Sequence, residues 1–174
     1  RQLKDDEVTG LMWITKPYEN FALTLKYKID KGNSGFFFRS QQIPNDNTGI
    51  KGIQVEVDRQ PDCGGLYESG GRGWLAKPSK QFSKYDQWNE MMVYTCGSNV
   101  MVWLNNELVV DCDTTNPLHP KRLDQGAFLN NFAFQLHKRQ EVQVQFKDIK
   151  IVVPKYINED EEEIDMFIGC DFLH

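Results

Sequence analysis

Apolar and polar residues alternate along most of this chain, and the alternation is strictest from Phe21 to Asp30. Phe21, Leu23, Leu25, Tyr27 and Ile29 fall on one side of an extended backbone, with Thr24, Lys26 and Lys28 on the other. Period-2 alternation predicts a strand with one buried face. The stretch Lys51 to Asp58 has the same character: Ile53, Val55 and Val57 point one way, Gln54, Glu56 and Asp58 the other. Same-face neighbours on a strand lie roughly 6.5–7 Å apart, so this polar row is close enough to contact one small ligand. Phe36-Phe37-Phe38-Arg39 breaks the alternation. A continuous aromatic run implies burial on both faces, with Arg39 emerging at the end.

Further strands are expected at Leu11 to Ile14, Trp88 to Cys96, Ala127 to Leu136 and Val142 to Val153. Val100 to Leu104 and Glu107 to Asp111 flank Asn105-Asn106, a pair that tolerates positive φ, and so predict a tight hairpin. Lys31 to Gly35 reads as a turn, and Gln60 to Gly73 as a glycine-rich stretch holding Leu66-Tyr67. Trp74 to Ser83 reads as irregular and Lys121 to Gln125 as a polar connection. No segment has a helical period. Short strands separated by frequent turn signals indicate an all-β sandwich or jelly roll of antiparallel sheets.

A chain of 174 residues with 40% apolar and 12% aromatic residues suits one domain with a real core. The jelly-roll body is placed at 1–157. The remainder, 158–174, is an acidic tail whose Met166 to Leu173 could dock as an edge strand. Net charge is −5 and no basic patch occurs, which argues against nucleic acid as a partner. No apolar run approaches the roughly 20 residues that span a bilayer. The chain starts at Arg1 without Met, as expected of a processed or trimmed polypeptide. Cys63, Cys96, Cys112 and Cys170 lack CxxC spacing, which leaves disulfides and free thiols both open.

Gly32-Asn33-Ser34-Gly35-Phe36-Phe37-Phe38-Arg39 resembles the Gly-Asn-Ser-Gly-x-x-x-Arg segment of the DUF1080 family, the 3-keto-disaccharide hydrolases. Glu19-Asn20-Phe21, Gly52 to Val57, Gly65-Leu66-Tyr67, Gln87-Trp88-Asn89, Val102 to Asn105 and Val109-Val110-Asp111 follow in the family's order. Phe134-Gln135-Leu136-His137 and Phe146 to Ile151 complete the match, which runs from about Leu11 to Val153. The resemblance implies a concanavalin A-like jelly roll. Two departures stand out. The family's Glu-x-Gln reads Gln54-x-Glu56 here. Its opening strands, with an Asn-Gly-Lys segment, are missing before Arg1, as expected either of a trimmed chain or of one in which another segment, Met166 to Leu173, fills that place.

The implied activity is cleavage of glycosides oxidised at C3, acting outside the cytoplasm in the extracellular space or periplasm. A 3-keto group acidifies the C2 proton; a base removes it, the C1 leaving group departs, and water adds back. This chemistry needs a base, an oxyanion stabiliser and a sugar platform. Glu56 is the candidate base, and His137 the alternative base or the acid. Arg39 would stabilise the enolate or clamp a hydroxyl pair. Tyr67 and Trp88 offer stacking faces, while Gln54, Gln135 and Asn89 suit hydroxyl recognition, with Asp58 and Lys77 beside them.

Plainer assignments compete: Trp88 as core, His137 as structural, Arg39 as the ion-pair partner of Glu56 or Asp58, Asn33 as a turn residue. A lectin-like carbohydrate-binding module would use the same groove without tuned acids, and a purely structural domain would use none of it. A laminarinase-like retaining glycosidase ranks low, because Gln54 at the nucleophile position cannot form a glycosyl ester. No cofactor is required, although Glu56, Asp58 and His137 could converge on Ca²⁺ or a transition ion. The expected partner is an oligosaccharide or glycoside; oligomeric state is left open.

Overall fold

The computed structural model describes residues 10–43, 49–115, 130–137 and 141–153. In these, eleven strands follow one another: β1 (Gly10–Tyr18), β2 (Phe21–Lys31), β3 (Ser34–Gln42), β4 (Ile50–Val57), β5 (Leu66–Ser69), β6 (Gly73–Ala76), β7 (Asn89–Cys96), β8 (Asn99–Leu104), β9 (Glu107–Asp113), β10 (Asn130–Leu136) and β11 (Gln143–Val152). They form a six-stranded sheet ordered β1-β10-β3-β4-β5-β6 and a five-stranded sheet ordered β11-β2-β7-β8-β9. All neighbours are antiparallel. Among the described residues no helix is long and apolar enough to cross a membrane.

The alternating residues fill the space between the sheets. Phe21, Leu23, Leu25, Tyr27 and Ile29 of β2 share one cluster with Ile53, Val55 and Val57 of β4, and all are buried. Phe21 meets the rings of Phe36, Phe38 and Phe132 edge-on, a favoured aromatic geometry. Phe37 faces the opposite way, into a second apolar cluster with Ile50, Ala133, Leu11 and Trp13. The Phe36–Phe38 run is therefore buried on both faces, as its unbroken apolarity implied. Asn105 and Asn106 adopt φ 51° and 69° and close the β8–β9 hairpin.

Two elements differ from expectation. β1 extends through Pro17 to Tyr18, whose ring stacks on Phe132 at 4.6 Å. Part of the stretch read as irregular is strand β6. Its four residues are all half-buried, so they carry no alternation to read. Cys96 is disulfide-bonded, whereas Cys63 and Cys112 are free thiols. Met166 to Leu173 and the acidic tail lie outside the described residues.

Candidate functional site

Cross-strand register arranges the outward side chains of the six-stranded sheet into rows. One row runs Trp13, Ala133, Phe37, Gln54, Tyr67, Trp74 across six strands. The next runs Leu11, Gln135, Gly35, Glu56. Directly opposed residues share a face and stand within side-chain reach. The register thus sets Gln54, Glu56, Gln135 and Tyr67 side by side.

Gly35 is the gap that lets this polar group close. The Gln54 amide lies over it, donating to the Ser34 carbonyl at 3.2 Å and to Gln135 Oε1 at 3.3 Å. A Cβ on Gly35 would sit 2.2 Å from Gln54 Nε2. Glycine inside a strand often marks such a close approach. We expect Gly35→Ala to displace the Gln54 amide and cost about 1–3 kcal/mol, the usual penalty of overpacking a filled site. Urea unfolding followed by circular dichroism checks this.

Asn33 ties Glu56 to His137. It sits just after Gly32, whose φ of +78° makes the turn. Its Nδ2 donates to Glu56 Oε1, and its carbonyl accepts the His137 backbone N–H at 3.4 Å. The Glu56 backbone is itself fixed, its N–H bonded to the Gly65 carbonyl at 2.9 Å and its carbonyl to the Gly64 N–H at 2.8 Å. Burial pushes the Glu56 carboxyl up to about 7; the Asn33 bond opposes this, and the Asp58 and Asp62 charges add to it. Burial also raises Asp58, against the pull of the Gln60 N–H that it accepts at 2.9 Å.

Lys77 lies at the far edge of the acids, 4.0 Å from Asp62 Oδ2 and 4.7 Å above the Trp74 ring. Trp74 meets Tyr67 edge-to-face at 5.4 Å, so the two make a half-buried aromatic corner beside Gln54. His137 is exposed at the end of β10. Seven of the ten expected residues are thus drawn to one end of the sheet: Gln54, Glu56, Asp58, Tyr67, Lys77, Gln135 and His137.

Three are not. Arg39 should share the Gly35–Phe37 face by parity, but its φ of 50° lies in a register break between Phe38 and Gln41. The break reverses the side chain. Its guanidinium donates to the Gly97 carbonyl and is only 1% exposed, so it neither pairs with Glu56 nor reaches a ligand there. Trp88 is exposed but lies by β11, with Lys147 Nζ 3.8 Å over its ring. Asn89 is fully buried, and its amide is spent on the chain: Oδ1 accepts from the Lys84 N–H and from Asn105 Nδ2, while Nδ2 donates to the Lys84 and Gln87 carbonyls. No capacity remains for a sugar hydroxyl.

Asn33, Asp62 and Trp74 were missed. The turn role of Asn33 masked its second one, and Trp74 stood in a segment without periodicity. Among the described residues, no three His, Cys, Asp or Glu side chains converge as metal ligands would.

The fold is shared with solved structures of low sequence identity. A candidate glycosyl hydrolase of Parabacteroides distasonis superposes with TM-score 0.61 at 22% identity, over 80% of this chain and 74% of that one. A second from the same organism gives 0.61 at 21%, over 83% of each chain. The carbohydrate-binding module CBM66 of Bacillus subtilis gives 0.60 at 14%, over 84% and 83%. These likenesses establish the jelly-roll fold. Among curated proteins none matches. The model of the 3-keto-alpha-glucoside-1,2-lyase-like domain matches residues 2–152, so the chain belongs to that family of carbohydrate-active proteins.

Proposed function

We propose that this protein cleaves glycosides oxidised at C3 by elimination followed by hydration, with Glu56 as the base. The observation that carries the reading is a buried carboxyl pushed up to about 7 and oriented by Asn33, beside a row that carries Gln54, Tyr67 and Trp74. A general base works best when its pKa lies near the operating pH. Glu56 takes the proton from C2, and the C–H electrons pass into the enolate at C3. The enolate re-forms the ketone as the C1–oxygen bond breaks, and His137 supplies the proton to the leaving group. Water then adds to C1 of the enone and a proton returns to C2, completing a net hydrolysis. With Arg39 turned away, we assign the developing oxyanion to the Gln135 amide nitrogen, since Gln54 engages the oxygen of that amide. Tyr67 and Trp74 supply the platform.

A second reading is a carbohydrate-binding module without turnover. One observation favours it: Glu56 is 8% exposed and Gln54 5%, which leaves the half-buried aromatics Tyr67, Trp74 and Trp13 as the open part of the row. Under either reading we place the protein outside the cytoplasm, and the disulfide at Cys96 supports that.

The test is incubation with a 3-keto disaccharide and, separately, its unoxidised parent, following release of the monosaccharides. We expect release from the oxidised sugar alone, with KM raised about tenfold in Tyr67→Ala, as for loss of one stacking face. Binding of either sugar without turnover would transfer the assignment to the module. Turnover of the unoxidised parent would sink the C2-abstraction mechanism.

A further inference from the structure

A groove of about 670 Å³ crosses the outer face of the other, five-stranded sheet, on the far side of the core from Glu56. That volume falls in the usual range of small-molecule sites, roughly 300–1,000 Å³. Its floor follows a row set by register, Lys150, Thr24, Met92 and Trp103, with Leu108 next in line past a register shift at Trp103. Trp103, at the fourth position, is half-buried, with its indole flanked by Met92 and by Leu108, which is 45% exposed. The part of the row that lines the groove spans four strands, or roughly 14 Å at about 4.8 Å per strand.

One wall comes from a break in β11. Register slips between Lys147 and Lys150, where Asp148 adopts φ 54° and Ile149 is 38% exposed. Asp148 shares the Lys26 ammonium with Glu90, at 3.3 and 3.6 Å. All three side chains are about 40% exposed or more, so the carboxylates keep lone pairs for an incoming donor. Asn106, on the β8–β9 turn, adds an amide at the other end.

We propose that this groove is a second carbohydrate site, which holds a neutral, unoxidised oligosaccharide laid across the strands. The pairing of features selects that occupant. A flat indole face suits the C–H face of a pyranose, because the ring's negative quadrupole meets weakly positive hydrogens. Carboxylates, an amide and a threonine hydroxyl around it suit the sugar's hydroxyls. Two acids, Glu90 and Asp148, are balanced by two bases, Lys26 and Lys150, so the lining offers no net charge to an acidic polymer. The length of the row fits several sugar rings. Nothing in this assignment rests on Glu56 or on turnover. The site would hold a polymer while the opposite sheet works on a soluble piece of it.

The test uses the full chain with unoxidised gluco-hexasaccharides and their polymers, in α- and β-linked forms, by calorimetry and polymer pull-down. Trp103→Ala should lower polymer affinity at least tenfold while any cleavage of a soluble 3-keto disaccharide stays within twofold of wild type. Asp148→Asn keeps a residue that tolerates positive φ and should lower affinity about threefold. It also carries the test if Trp103→Ala does not fold. Unchanged polymer binding in both variants would overturn the proposal, as would failure of every probe to bind the wild type. A change of oligomeric state in Trp103→Ala, seen by sedimentation, would show instead that a second copy covers this face.

Discussion

Glu56→Gln is expected to abolish turnover of the oxidised disaccharide, by about 10²–10⁴-fold, the usual contribution of a positioned base. Binding should survive, because a glutamine carbonyl can still accept from Asn33 Nδ2. If Glu56 is the base, it must be ionised to act, so kcat/KM in the wild type should rise with pH through about 7 and then level off. A profile that falls through the same range would make Glu56 the acid instead. The same carboxyl predicts a stability effect of defined sign. Its folded pKa is raised, from 4.5 to about 7, so between those values the folded state binds more protons than the unfolded one. Glu56 therefore costs nothing below about pH 4.5, and its penalty grows as pH rises through 7. Each tenfold in proton affinity is worth about 1.4 kcal/mol, so the full penalty is about 3 kcal/mol at pH 8. Glu56→Gln, which cannot ionise, should match wild type in urea unfolding at pH 4 and exceed it by roughly that amount at pH 8. Comparing variant with wild type cancels acids remote from Glu56, while Asp58 and Asp62, whose charges act on it, remain part of the difference. An inactive variant that gains stability only at high pH would mark a group kept for chemistry at the expense of the fold.

The strands were legible wherever burial differs between faces. β2 shows this best: one face of five large side chains vanishes between the sheets and the other carries lysines. The polar row on β4 was legible for the same reason, and register then brought Gln135 and Tyr67 to it. Failures came where a local event breaks the alternation. Positive φ at Arg39 turned a predicted ligand contact into a buried strut against Gly97. Asn89 carries the residue type expected of hydroxyl recognition, but loop closure consumes its amide, and hydrogen-bond partners cannot be read from composition. β6 is too short and too evenly buried to show a period. Asn33 is the instructive case. Its glycine neighbours signalled a turn, and the turn is what aims its amide at Glu56.

Glu68→Ala is expected to cost about 3–5 kcal/mol, the usual penalty for leaving one member of a buried ion pair alone. Glu68 and Arg72 are 1% and 3% exposed at the side chain, and their carboxylate–guanidinium contact is bidentate, at 2.5 and 2.6 Å. The Arg72 N–H adds a third bond to the same carboxylate at 3.0 Å, and Arg72 Nη1 reaches the Thr114 carbonyl at 2.7 Å. The pair thus ties the β5–β6 turn to the end of β9 in the other sheet. Truncating Glu68 strands a guanidinium that cannot shed its charge. At roughly 2–4 °C per kcal/mol for a chain of this size, Tm should fall by about 6–20 °C. Removing both charges with apolar side chains of similar volume should recover most of the loss, because desolvating an ion pair offsets much of its attraction. By contrast, breaking the exposed Lys31–Glu141 contact should change stability by no more than about 1 kcal/mol. Glu68 lies next to Tyr67 on the inward face of β5, so a loosened pair also frees the platform. Glu68→Ala should therefore raise KM more than it lowers kcat, the reverse of Glu56→Gln. Equal loss in both constants, with Tm unchanged, would remove the claim that this pair holds the strand beneath the sugar.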